Sequence, residues 1–241
     1  MTAWLYNHGN AVLAIDLDPQ CNLSMIEGVN EEQPNILEVM QGKASAEKAI
    51  KRTETGYMVP GSKHMVNYNP TTANAVRNVL RTVEKKLSYC VIDTSPALDA
   101  MTINALVASD FVLVPCKADR FSLEALQAFF QTHTVARTVK PELKIGVFFT
   151  MYNPRATANK LLADQIREYA TDNGITVFNT YIRRTVTIEE AEYLPNIFEY
   201  APKSNAATDY NSLFTEVMEQ LERRIKHDNR CKCNSNESGS N

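Results

Sequence analysis

VLAIDLDPQCNLS (Val12 to Ser24) and YCVIDTSPALDAMTINALVASDFVLVP (Tyr89 to Pro115) decide how this chain folds. Each opens on apolar residues that do not alternate with polar ones, then turns acidic. The first run ends in Asp16-Leu17-Asp18-Pro19-Gln20 and the second in Asp93-Thr94-Ser95-Pro96. Such runs are expected of parallel strands covered by helices on both faces. FVLVP (111–115) and IGVFFT (145–150) read the same way. Between them lie helical stripes: Leu123, Leu126, Phe129, Phe130 and His133; then Leu161, Leu162, Ile166, Tyr169 and Ala170. A third, from Ala207 through Tyr210, Leu213, Phe214, Val217, Met218 and Leu221 to Ile225, recurs at three- and four-residue steps. Strands alternating with helices predict an α/β fold with a doubly wound, mostly parallel sheet and helices on both faces.

In such sheets ligands bind beyond the carboxyl ends of the strands. Two strands here end in carboxylates, whose desolvation needs compensation by a cation or by hydrogen bonds. A hydrated Mg²⁺ held by carboxylates and nucleotide phosphates would supply it. Asp-Pro and Ser-Pro can also simply punctuate turns. Two acids on successive core strands favour a phosphate–metal site.

Composition narrows the classes. The chain has 241 residues, 44% hydrophobic and 22% charged, with a formal net charge of −3. This describes one large α/β domain rather than a globally basic nucleic-acid binder, so any DNA contact must come from a local patch. Five scattered cysteines (Cys21, Cys90, Cys116, Cys231, Cys233) do not suggest a disulfide framework, and no apolar run is long enough to span a bilayer. A cytoplasmic protein is expected. Residues 1–225 are expected to form a single domain, and 226–241, which lack large apolar side chains, a disordered polar tail. Cys231 and Cys233 lack the partners of a metal site.

The two opening segments resemble the ParA family of partition ATPases, relatives of MinD. TMYNPRATANKL (Thr150 to Leu162) and FNTYIRRTVTIEEAEYLPNIFEYAPKSNAATDY (Phe178 to Tyr210) resemble later blocks of the same family, in the same order. The resemblance implies a P-loop NTPase-like fold that uses ATP and Mg²⁺. It implies that Asp93 holds the metal through water, that Asp16 is an acid close to the metal, and that Asp18 is the catalytic residue orienting the attacking water. It places Thr150, Met151 and Tyr152 at the base-binding edge and Arg184 on the nucleotide or DNA side. Phosphoryl transfer of this kind rests on positioning and charge neutralisation.

The family's phosphate loop, a lysine followed by Gly-Gly-x-Gly-Lys-Thr-Thr, is not among these residues; the one Gly-Lys pair is Gly42-Lys43. Eight glycines are about half of the ordinary usage of roughly 7%. Thr2 to Gly9 resembles the second half of the helix that follows the loop, so the first strand, the loop and half a helix are missing. In the family that strand is central. The expected result is a gap in the sheet, with Val12–Asp16 and Tyr89–Asp93 among its flanks, and a chain poorly competent to hydrolyse ATP. Either the sequence is a truncated form of a working ATPase or the protein has abandoned ATP; the retained acids favour the first.

The resemblance further implies an ATP-dependent homodimer, non-specific DNA binding on the nucleoid, and a ParB-like centromere-binding partner. Between Arg137 and Arg167 six basic residues face two acidic ones, and Arg155, Lys160, Arg183 and Arg184 are the expected DNA contacts. Thr187 departs from the basic residue the family often carries there. The polar tail offers no amphipathic anchor for a MinD-like membrane role. Nor do the cysteines suit an iron–sulfur relative of nitrogenase iron protein. The alternative reading is a non-catalytic DNA- or partner-binding module on the same fold.

Overall fold

β1 (Val12–Asp16) is buried at every residue because it lies inside a sheet and between two helical layers. The computed structural model describes residues 1–30, 32–191, 194 and 196–237, with the side chains of the last helix described to Glu222. The other strands are β2 (Lys51–Thr53), β3 (Gly56–Val59), β4 (Tyr89–Asp93), β5 (Phe111–Cys116), β6 (Lys144–Phe149) and β7 (Thr176–Val177). In the first half the helices are α1 (Thr2–Asn7), α2 (Asn22–Ile26), α3 (Ile36–Met40), α4 (Ala46–Ala49) and α5 (Ala75–Arg81). In the second they are α6 (Ala100–Ala108), α7 (Arg120–Val139), α8 (Thr157–Asp172), α9 (Val186–Glu190), α10 (Ile197–Tyr200) and α11 (Asn205–Glu237). No described helix is long and apolar enough to cross a membrane. The expected tail over 226–241 lies outside the residues whose side chains are described.

The strands form two sheets, β2-β3-β1-β4 and β5-β6-β7, parallel throughout except for β2, which turns back against β3. Along β1 the side chains alternate between layers. Leu13 and Ile15 meet α3, α5 and α6, while Val12 joins Trp4 and Leu5 of α1 and Leu213, Phe214 and Val217 of α11. Removing such side chains from water contributes roughly 1.5–3 kcal/mol each. On the second sheet, Leu126 and Phe130 of α7 and Ala163 and Ile166 of α8 cover one face. This is the expected α/β architecture with helices on both faces. One stripe is corrected: Leu161 is 60% exposed, so α8 packs through Ala163, Ile166 and Ala170 instead.

The expected gap is present but sits elsewhere. β1 is paired on both sides, to β3 and to β4, so Val12–Asp16 does not flank it. Among the described residues four strands are paired on one side only: β2 and β7, and the two that would flank the gap, β4 and β5. Both are half-exposed along most of their length, where central parallel strands would be buried. The two edges belong to one βαβ unit through α6. They share one apolar layer, in which Tyr89 and Val91 of β4 and Phe111 and Leu113 of β5 pack on the α1–α11 cluster.

Candidate functional site

Strand register builds the site. β1 and β4 pair residue for residue from Val12↔Tyr89 to Asp16↔Asp93, so both strands end in a carboxylate at the same level. One residue further, Leu17 N donates to the Asp93 carbonyl at 2.8 Å, extending the ladder into the loop. The chain then turns at Asp18, whose Oδ1 accepts from Gln20 N at 2.9 Å. Cys21 follows with φ of 56°, the left-handed conformation that releases the chain into α2.

The three acids differ. Asp16 is fully buried and its carboxylate is taken up by the loop: Oδ1 accepts from Asp18 N at 3.0 Å, and Oδ2 from Ser24 N at 2.9 Å and Ser24 Oγ at 2.7 Å. Burial raises its pKa while these hydrogen bonds oppose the rise. The compensation that the sequence required is therefore met at Asp16 by hydrogen bonds. Asp93 and Asp18 remain to face the edge. The Asp93 side chain reaches water, yet the surrounding chain strips enough hydration, with the Asp16 and Asp18 charges adding to it, to push its carboxyl up to about 6.

This donor set fits a cation that brings other ligands with it. Among the described residues no three Asp, Glu, His or Cys side chains could hold a metal by themselves. A Mg²⁺ near Asp93 would need water and phosphate oxygens to complete its shell, as that ion prefers.

The raised Asp93 carboxyl has a consequence for stability. Its folded-state pKa lies above the ordinary 3.8, so the folded form binds the proton more readily than the unfolded one. The advantage of the neutral group is present at low pH and is lost as pH rises through about 6. Asp93→Asn, which cannot ionise, is expected to stabilise the protein at pH 7.5 by roughly 1 kcal/mol after allowance for solvent screening, and hardly at all near pH 3, below the unfolded value. Thermal melts at both pH values check this; an Asn variant melting lower at pH 7.5 would overturn the electrostatic account.

The other expected residues separate into surface and core. Thr150 follows β6 and its N–H donates to the Cys116 carbonyl at 3.0 Å. Met151 is left-handed, with φ of 51°, and half-exposed. Tyr152 does not line an edge: its ring is buried between Phe149 and Tyr181, at centroid distances of 5.6 and 4.9 Å. Arg183 and Arg184 point to different tasks. The Arg183 guanidinium grips Asp209 of α11 with Nε at 2.9 Å and Nη2 at 2.7 Å, a bidentate lock that occupies the fork a DNA phosphate would need. Arg184 is exposed and loosely paired with Glu189 at 3.6 Å. Arg155 and Lys160 stand exposed at the start of α8. Lys140, counted above among the basic residues, is 6% exposed and bound to Asp110 at 2.7 Å; it belongs to the scaffold.

Two residues of the site escaped the sequence reading. Ser24 is completely buried beside Asp16, and its Oγ also accepts from Gly61 N at 2.8 Å. A Cβ on Gly61 would lie 3.0 Å from Asp16 Cγ, so the position has no room for a side chain. Ser24 stood inside the quoted stretch, eight residues beyond Asp16; Gly61 gave no signal.

Residues 1–145 match the model of the AAA domain family. The chain is 31% identical over 223 residues to the sporulation initiation inhibitor protein Soj of Bacillus subtilis, covering 87% of each chain. It is 30% identical over 228 residues to the chromosome-partitioning ATPase Soj of Thermus thermophilus, covering 92% of this chain and 89% of the relative. In fold it is similar to cobyrinic acid a,c-diamide synthase from Mycobacterium smegmatis, solved with a bound ATP analog and magnesium. That likeness has a TM-score of 0.75 at 23% identity and covers 88% of this chain and 83% of the other.

Proposed function

This chain belongs to the ParA/MinD-type family of AAA-domain partition ATPases, and from that membership we propose that it serves DNA partitioning as a Mg²⁺-ATP-dependent dimer. The observation that carries the reading is the shared level of Asp16 and Asp93 at the ends of two paired strands, with Asp18 held next to them. In the proposed division of labour Asp16 is the anchor, Asp93 faces the metal, and Asp18 orients the attacking water. When bound, Mg²⁺ would neutralise charge on the transferring phosphate. The protein's own part is positioning: two paired strands fix Asp93, and the Asp16 hydrogen bonds fix the loop bearing Asp18. As these 241 residues stand, without a glycine-rich phosphate loop, turnover is not expected. Thr150 and Met151 remain the proposed base-side residues.

DNA contact is proposed through Arg155, Lys160 and Arg184, which are exposed; Arg183 is left out because Asp209 holds it. The protein would then reside in the cytoplasm on the nucleoid and answer to a ParB-like partner. Binding to duplex DNA is expected to be indifferent to sequence and to weaken steeply with salt. Replacing the three residues by alanine should reduce the log–log salt slope by about 3 units, one for each phosphate released. Anisotropy titrations at several salt concentrations test this, and a slope unchanged by the triple substitution would reject the surface.

A second reading is a non-catalytic DNA- or partner-binding module on the same fold. Retention on ATP-agarose of a form carrying a family-type loop separates the two, since a module that has abandoned nucleotide would pass through.

A further inference from the structure

The loop after β1 is held by more than its own residues. Asp16 Oδ2 accepts from Ser24 N, which caps the first turn of α2. That bond is local, spans eight residues and would serve any short helix. The Ser24 hydroxyl does something else. It donates to Asp16 Oδ2 at 2.7 Å and accepts from Gly61 N at 2.8 Å, a partner 37 residues away in the loop that follows β3. Helix capping needs no such second bond.

The two loops also interlock sterically. The Cβ that Gly61 lacks would lie 3.0 Å from Asp16 Cγ and 3.1 Å from Cys21 Sγ. Asp16, Ser24, Gly61 and Cys21 are all buried, so water cannot replace a lost bond without opening the site. On the far side, Asp16 Oδ1 holds the Asp18 N–H at 3.0 Å. A continuous path therefore runs from the Gly61 amide through one hydroxyl and one carboxylate to the backbone of Asp18.

We propose that Ser24 is a positioning residue whose hydroxyl ties the Asp18 loop to the Gly61 loop, so that the two loops at the carboxyl edge move as one body. The consequence for chemistry rests on the reading that Asp18 orients water; the tie itself does not. With Ser24 in place, Asp18 is held from both ends of the path. Without it, Asp16 loses a donor and the Gly61 amide is left unpaired in a buried position.

Hydrogen exchange of the full chain without nucleotide tests the tie independently of any ATPase role. In Ser24→Ala the amides of Asp18 and Gly61 are both expected to exchange roughly tenfold faster or more, while those inside β1 keep their protection. Ser24→Thr, which retains the hydroxyl, should restore slow exchange at both. Acceleration at Gly61 alone would mean that the Ser24–Gly61 bond does not reach Asp18 and would overturn the proposal, as would equal acceleration through β1. Should Ser24→Ala fail to fold, Gly61→Ala decides by the same readout. Its methyl presses on Asp16, so the Asp18 amide should accelerate although residue 61 does not bond to it, and an unchanged Asp18 amide refutes the tie.

Discussion

The chain extended at its N-terminus by a family-type strand and phosphate loop is expected to unfold at a midpoint about 10 °C above that of the 241 residues alone. A strand placed between β4 and β5 would face two open edges, and each hydrogen bond formed contributes on the order of 1 kcal/mol net. Ordering the new residues costs about 1–2 kcal/mol apiece. Burial of the half-exposed faces of Val91, Ile92, Leu113 and Val114 tips the balance. A net gain of roughly 3–5 kcal/mol corresponds to about 10 °C for a protein of this size. Mg²⁺-ATP should raise the midpoint of the extended form further. The unextended chain, with both of these edges open, is expected to be poorly soluble. Calorimetry on both forms is the check. Sharp transitions of equal midpoint would mean that the short chain satisfies its own edges.

In the same extended form, Asp18→Ala is expected to cut ATP turnover by a factor of roughly a hundred or more while nucleotide still binds. Asp18 projects from a loop whose backbone is fixed by Asp16 and by its own turn to Gln20. Truncating it removes a water-orienting group without removing the scaffold. Phosphate release and nucleotide affinity measured side by side distinguish the outcomes. Turnover equal to the parent would end the catalytic assignment, and lost affinity would make Asp18 a binding residue.

Much of the fold was legible because burial on both faces writes itself as unbroken apolar runs. β1 and β4 have the bounds those runs suggest, β5 runs one residue further, and β6 is shifted by one residue at each end. β2, β3 and β7 were missed because they are two to four residues long; β2, KRT, reads as a polar turn. The position of the gap was misjudged for another reason. Strand order is set by packing among distant elements, and nothing inside VLAID says which of its sides lies next to β3. At the site, the acids were legible as charges ending apolar runs. The partition of neighbouring residues was not. Met151 and Tyr152, or Arg183 and Arg184, are adjacent in sequence, and only the path of the loop decides that Tyr152 turns into the core and that Arg183 meets Asp209. Ser24 and Gly61 meet across 37 positions, a separation over which local pattern carries no information.

The open seam between β4 and β5 also has a mechanical meaning. A continuous parallel sheet transmits load through rows of backbone hydrogen bonds that must fail together. Here the two half-sheets are joined by the α6 crossover and by side chains of the α1–α11 layer, where Trp4 donates to Asn211 at 2.8 Å and Phe214 meets Trp4 edge-on at 6.1 Å. Side-chain contacts of this kind yield one at a time. Among the described residues the link between the two half-sheets therefore rests on one crossover and on side-chain packing rather than on rows of backbone hydrogen bonds.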